Sequence, residues 1–260
     1  MEKLVGSGHA PVNGLKMYYE IYGEGAMPLV LIHGGGSTIQ STFSNLIPLL
    51  SAHHKLVAVE LQAHGRTSDR DSPELFEQDA DDVAAMLGFL KINKADFLGF
   101  SNGGTTTLQI AIRHPGIVNK IIVISASYKR EGMIPGFFDG IKVATLDDMP
   151  DSLKAAFLKV NPDHERLQVM FEKDRSRMEH FQDMSDEDLA SIKVPTLLMV
   201  ADHDVVTTGH VLKMSQLIVG ARLVVLPGIH GSFIGEVGTV KKSSRLPETS
   251  AELIEEFLND

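Results

Sequence analysis

Gly99-Phe100-Ser101-Asn102-Gly103 is the stretch on which the fold turns. It fits the pattern G-x-S-x-G and stands between an apolar run, Ala95 to Phe100, and a helix-like run, Thr105 to His114. A serine on a sharp strand-to-helix turn has its hydroxyl pushed out of the sheet, and the flanking glycines let neighbouring backbones approach where a side chain would clash. The pattern alone is short, so its weight depends on whether the rest of the chain supplies the partners such a serine needs.

Working outward, short all-apolar runs recur at Leu29–Ile32, Leu56–Val59, Phe97–Phe100, Ile121–Ile124, Thr196–Val200 and Leu223–Leu226. Continuous apolar strands imply burial on both faces, the mark of a parallel sheet covered by helices. Asn13-Gly14 is a type I′ hairpin signal, and Leu15 to Tyr22 alternate as a strand does. Helical stripes fall between the runs: Phe76, Ala80, Val83, Ala84, Leu87 and Leu90 form one. Leu108, Ala111 and Ile112 form another before Pro115-Gly116, and Leu253, Ile254, Phe257 and Leu258 mark a closing helix. The alternation predicts an α/β fold, a mostly parallel twisted sheet with helices on both faces.

Ser127 to Lys193 breaks this rhythm. It holds no strand-like run, yet carries five of the 11 Met and five of the 12 Phe. Asn161-Pro162 reads as a helix cap and first helical position, followed by a stripe of Leu167, Met170, Phe171, Met178 and Phe181. These helices bury their own apolar faces, or also form a small cap whose flexible Met and Phe line a pocket. The expected division is a core of residues 1–127 and 194–260 with a helical cap of residues 128–193 inserted in it.

The composition excludes several classes. The chain has 260 residues, 43% of them hydrophobic, enough for one sizeable core. Cysteine is absent, which removes disulfides, thiolate catalysis and Cys-based zinc sites. The net charge is -10 and no basic run exceeds Lys241-Lys242, so a nucleic-acid surface is not expected. Met1 to Gly6 lacks a signal-peptide core and no stretch has membrane-span length, so a cytoplasmic location is expected. Oligomeric state is not legible.

A serine nucleophile needs a base, and the base needs an acid to hold its tautomer. His230, in Pro227-Gly228-Ile229-His230-Gly231 after the last apolar run, is placed for the base. His33 and His64 precede glycines upstream and suit structural hydrogen bonding. The acid is Asp204, with Asp202 as its rival, in Val200-Ala201-Asp202-His203-Asp204. That cluster lacks a third ligand at sensible spacing, so no metal is expected. For the developing oxyanion, the Asn102 N–H at a helix start is one donor, and His33-Gly34-Gly35-Gly36 supplies the other.

Together these residues resemble the α/β-hydrolase family over essentially the whole chain. The motifs are His33-Gly34-Gly35-Gly36, Ala63-His64-Gly65-Arg66-Thr67-Ser68, Gly99 to Gly104, Ala201-Asp202-His203-Asp204 and Gly228-Ile229-His230. The resemblance implies an α/β-hydrolase fold with Ser101 as nucleophile, Asp204 as acid, His230 as base, and Gly35 with Asn102 as the oxyanion hole; Gly34 serves if the glycines act as in the glycine-rich esterase branch. Two departures stand out: Glu60 in place of Asp before the Gly-His-Gly-like turn, and a long segment, Gly231 to Pro247, before the closing helix. A serine nucleophile and the lack of Trp disfavour the family's epoxide hydrolases and dehalogenases. The implied activity is cofactor-free cleavage of a small carboxylic ester with an apolar portion. Lactonase, C–C bond hydrolase and perhydrolase chemistry use the same triad, and a non-catalytic small-molecule receptor is the alternative class.

Overall fold

A computed structural model describes residues 4–239 and 243–260. Met1 to Lys3 and the Lys241-Lys242 pair therefore lie outside the described residues. The chain opens with β1 (Leu4–Val12) and β2 (Leu15–Tyr22), paired antiparallel across Asn13-Gly14. Both turn residues have positive φ, 45° and 84°, as a type I′ hairpin requires. Then follow β3 (Leu29–Ile32), α1 (Ile39–Phe43), α2 (Ile47–Leu50), β4 (Leu56–Val59), α3 (Phe76–Phe89), β5 (Ala95–Phe100), α4 (Asn102–Arg113) and β6 (Val118–Ile124). After β6 come α5 (Phe137–Val143), α6 (Asp151–Val160), α7 (His164–Glu179) and α8 (Asp186–Ser191). The chain closes with β7 (Thr196–His203), α9 (Thr208–Leu217), β8 (Arg222–Ile229) and α10 (Leu246–Asn259).

The strands form one sheet in the order β1-β2-β4-β3-β5-β6-β7-β8. Only the β1–β2 and β2–β4 pairs are antiparallel; from β4 to β8 every neighbour is parallel. Strands β3, β4 and β5 are buried along their whole length, which is why they read as unbroken apolar runs. Alternate residues feed two cores. Val30, Ile32, Val57, Val59 and Phe97 pack with α3 and α4 on one face. Leu29, Leu31, Leu56, Leu98 and Phe100 pack with α1, α2 and α10 on the other. The fold is that of an α/β hydrolase, as the resemblance implied.

Between β6 and β7 the described residues form helices and turns, with one isolated bridge from Met133 to Val206. The Asn161-Pro162 expectation is corrected here. Asn161 closes α6, and α7 is capped by Asp163, whose carboxylate accepts the N–H groups of Glu165 and Arg166. A carboxylate in that place satisfies two orphan donors and favours the positive end of the helix, so the start shifts past the proline. Their apolar faces build a third cluster, Met149, Phe157, Leu167 and Met170, around Ala63 of the core.

The junction of β5 and α4 is the tightest in the chain. A Cβ on Gly103 would collide with the carbonyls of Ile32 and His33, and one on Gly99 with the Gly103 carbonyl. Both clashes are with backbone, which has no room to move. Gly103→Ala is expected to destabilise the protein by about 2 kcal/mol or more, the range of overpacked cores. Thermal denaturation measures it; a variant as stable as the parent contradicts the close packing.

Candidate active site

Ser101 sits between β5 and α4 with φ 54° and ψ −121°. Its N–H donates to the Ile124 carbonyl of β6 at 2.8 Å, and its own carbonyl takes the Gly104 and Thr105 N–H groups. These bonds over-determine a backbone conformation that L-residues rarely adopt, and they aim the side chain above the sheet edge. The Ser101 Oγ lies 3.0 Å from His230 Nε2. His230 Nδ1 is 2.6 Å from Asp204 Oδ1. A carboxylate only accepts, so Nδ1 carries the proton and Nε2 is left to accept from the serine hydroxyl.

Loss of water around the His230 ring disfavours its charged form, yet the hydrogen bond and charge of Asp204, with a contribution from Glu236, raise its pKa above 6.5. Burial alone would raise the Asp204 pKa, but the bonds from His230 and from Ser125, together with the His230 charge, hold it below the usual carboxylate range. Ser125 ends β6 in a left-handed conformation, φ 51°, and donates to Asp204 Oδ2 at 2.5 Å. Sequence reasoning passed over Ser125; its place directly after the Ile121–Ile124 run was the available signal. Asp202 takes a different part, accepting the Gly228 N–H at 2.8 Å at the strand end.

Gly35 and Asn102 both line a cavity of about 360 Å³ that opens over Ser101 and His230. Neither N–H donates to a protein acceptor among the described residues. The cavity wall comes mostly from the segment between β6 and β7, including Met133, Phe137, Met149, Met170, Phe171, Met178 and Phe181. The segment after His230 is not a loose appendage: Phe233 and Ile234 are fully buried, and Glu236 accepts a bond from Ser37 at 2.9 Å. Glu60 takes both the backbone N–H and the guanidinium of Arg66, so this departure serves the local turn.

Beneath the glycine loop lies a buried ionic cluster that sequence reasoning missed. Asp174 of α7 accepts from His64 Nε2 at 2.9 Å and from the Gly36 N–H at 2.5 Å. Its other oxygen takes Asn102 Nδ2 at 3.2 Å and the Arg177 guanidinium. Arg177 continues to Asp79 of α3 at 2.7 Å and to Glu74 at 3.5 Å. The other His64 nitrogen faces the Gln62 carbonyl, so both ring nitrogens donate and His64 is an imidazolium. Burial opposes that charge, but Asp174 lifts the His64 pKa to about 9. His33 is the converse: burial and the His64 charge press its pKa down to about 3, and its Nε2 accepts the Leu61 N–H. Both histidines are fully buried, and each uses both ring nitrogens in hydrogen bonds. Desolvation raises the Glu74 pKa to about 8. Among the described residues no group of three or more His, Asp or Glu is arranged to hold a metal ion. No helix is long and apolar enough to cross a membrane among them either.

Known proteins resemble this chain in sequence and in fold. Residues 29–231 match the sequence model of a family described as "Alpha/beta hydrolase family". The chain is 32% identical over 129 residues to the human protein "Serine hydrolase BPHL", a match covering 47% of this chain and 44% of that protein. Matches to the first curated relatives thus span less than half of those proteins' length. Among solved structures, a serine hydrolase involved in carbazole degradation superposes with a TM-score of 0.79 at 21% identity, covering 98% of each chain. The enol-lactonase from Burkholderia xenovorans superposes with a TM-score of 0.75 at 22% identity, covering 97% of this chain and 100% of that one.

The ionic cluster carries a pH signature. His64 has its pKa raised from 6.5 to about 9, so its share of stability is present below 6.5 and lost as pH rises through 9. Glu74 is raised from 4.5 to about 8, so its share is present below 4.5 and lost as pH rises through 8. Both groups push the same way, so the melting temperature is expected to fall as pH rises from 4.5, and His64→Gln to make the fall shallower between pH 6.5 and about 9. A flat profile over that window contradicts the buried imidazolium.

Proposed function

The chain belongs to the alpha/beta hydrolase family, and on that premise we propose that it is a serine hydrolase acting on a small carboxylic ester with an apolar portion. The observation that carries the reading is the hydrogen-bonded chain from Ser101 through His230 to Asp204, opening onto an apolar cavity. In this reading His230 takes the Ser101 proton as Oγ attacks the substrate carbonyl. The oxyanion forms against the N–H groups of Gly35 and Asn102, the second at the positive end of α4. His230 then returns the proton to the leaving alcohol, and a water activated by the same imidazole clears the acyl-enzyme.

Residues 128–193 act as the cap of a core made from residues 1–127 and 194–260. A cavity of about 360 Å³ walled by Met and Phe suits a compact apolar acyl or alcohol group. The chemistry requires no cofactor, since serine, imidazole and water supply every group transferred.

Ser101→Ala and His230→Ala are each expected to abolish cleavage of short nitrophenyl esters while leaving the circular dichroism spectrum unchanged. A fluorophosphonate should label wild-type protein and not Ser101→Ala. An unlabelled, folded wild type sinks the reading. Asp204→Asn should lower kcat by about 10⁴-fold, as removal of the acid does in comparable triads, while Asp202→Asn stays near wild type; the reverse order would move the acid assignment to Asp202. Because protonated His230 cannot accept the serine proton, kcat/KM should rise with pH through a midpoint above 6.5. Asp204→Asn should carry that midpoint to lower pH, and a midpoint unmoved by the change would contradict the pairing.

A further inference from the structure

Asp174 is not a residue that the acyl-transfer chemistry calls for, yet its carboxylate touches both sides of the oxyanion site. Oδ2 accepts the N–H of Gly36, next to Gly35, at 2.5 Å. Oδ1 accepts the side-chain amide of Asn102, a residue that lines the cavity and whose own N–H has no protein acceptor among the described residues, at 3.2 Å. Among the described residues, Asp174 alone of the helices between β6 and β7 hydrogen-bonds to these two segments. Its position is in turn fixed from the core side by His64 and from its own helix by Arg177, which is tied to Asp79 on α3.

A lone carboxylate here would be costly and would repel a developing oxyanion. Both difficulties are answered by the flanking cations, the His64 imidazolium and Arg177, which face Asp174 on either side. What remains is a neutralised acceptor with fixed geometry. Acceptors of this kind orient donors without competing for the substrate's charge.

We propose that Asp174 is the positioning residue of the oxyanion hole: by holding Gly36 and the Asn102 side chain, it turns the N–H groups of Gly35 and Asn102 toward the space above Ser101. The hole is therefore complete only when α7 is docked, and the helices that wall the cavity also assemble the site. This rests on the serine-hydrolase reading above.

The test is steady-state kinetics on nitrophenyl acetate with fluorophosphonate labelling alongside. Asp174→Asn keeps the shape of the side chain but replaces one acceptor oxygen with a donor amide. Its kcat is expected to fall about 10²-fold, toward the loss seen when an oxyanion donor is removed, with KM within about threefold of wild type. Arg166→Ala is the control, because Arg166 ties α7 to the Thr67 carbonyl at 2.6 Å and, among the described residues, forms no hydrogen bond or ion pair with Asp174. It should lower the melting temperature and leave kcat within about threefold. Wild-type kcat in Asp174→Asn overturns the proposal, and so does an equal loss of kcat in both variants, since that reports docking alone. If Asp174→Asn does not fold, Asn102→Ala decides: it keeps the backbone donor and loses the tie to Asp174, so kcat should drop about tenfold, and an unchanged kcat overturns the proposal. Wild-type protein that takes no phosphonate at Ser101 fails the serine reading itself. Labelled wild type with unaffected Asp174→Asn kinetics fails the positioning role alone.

Discussion

The crossing of β5 into α4 is the constraint on which the rest of this structure depends. Ser101 holds φ 54° because its N–H is tied to β6 and its carbonyl to the first turn of α4. The helix must therefore leave the strand at once, and it can do so only because Gly99 and Gly103 carry no Cβ. From that crossing follow the exposure of the serine hydroxyl, the direction of the α4 dipole, and the reach of the hydroxyl to a histidine from beyond β8. The strain has a cost of order 1–3 kcal/mol, small against the apolar burial of two cores that enclose the sheet.

Around this crossing the polar groups hold one another in place. Ser125 and the Ala201 and Val206 amides bond Asp204, which leaves one oxygen lone pair directed at His230. The ring is further steadied by Phe100, 4.7 Å away between centroids. Fixed dipoles of this kind stabilise a developing charge without the reorganisation that water would need.

How much of this was legible in the chain depends on the range of the interaction. The parallel strands could be read because burial on both faces writes itself as unbroken apolar runs such as Leu29–Ile32. The alignment of Ser101, Asp204 and His230 could be read because each follows a strand in the order this architecture imposes. The start of α7 was misplaced because Asn161-Pro162 and Asp163 offer adjacent, locally equivalent cap signals, and only the folded chain selects Asp163. Asp174 was invisible for a different reason: its partners, Gly36, His64 and Asn102, lie 72 to 138 residues away in sequence. No local pattern of charge separates it from the solvated acids on either side.

The bond from Asp174 to the glycine loop also limits what could replace the helices between β6 and β7. Apolar contact between two layers tolerates substitution as long as volume and pattern are kept. Here a transplanted insertion would have to bring its own carboxylate to the same point. Otherwise it would strand the His64 imidazolium in the interior, a loss of about 3–5 kcal/mol for a broken buried pair. Single Met and Phe side chains of these helices can be exchanged without touching that bond, whereas replacing the helices as a whole cannot leave it intact.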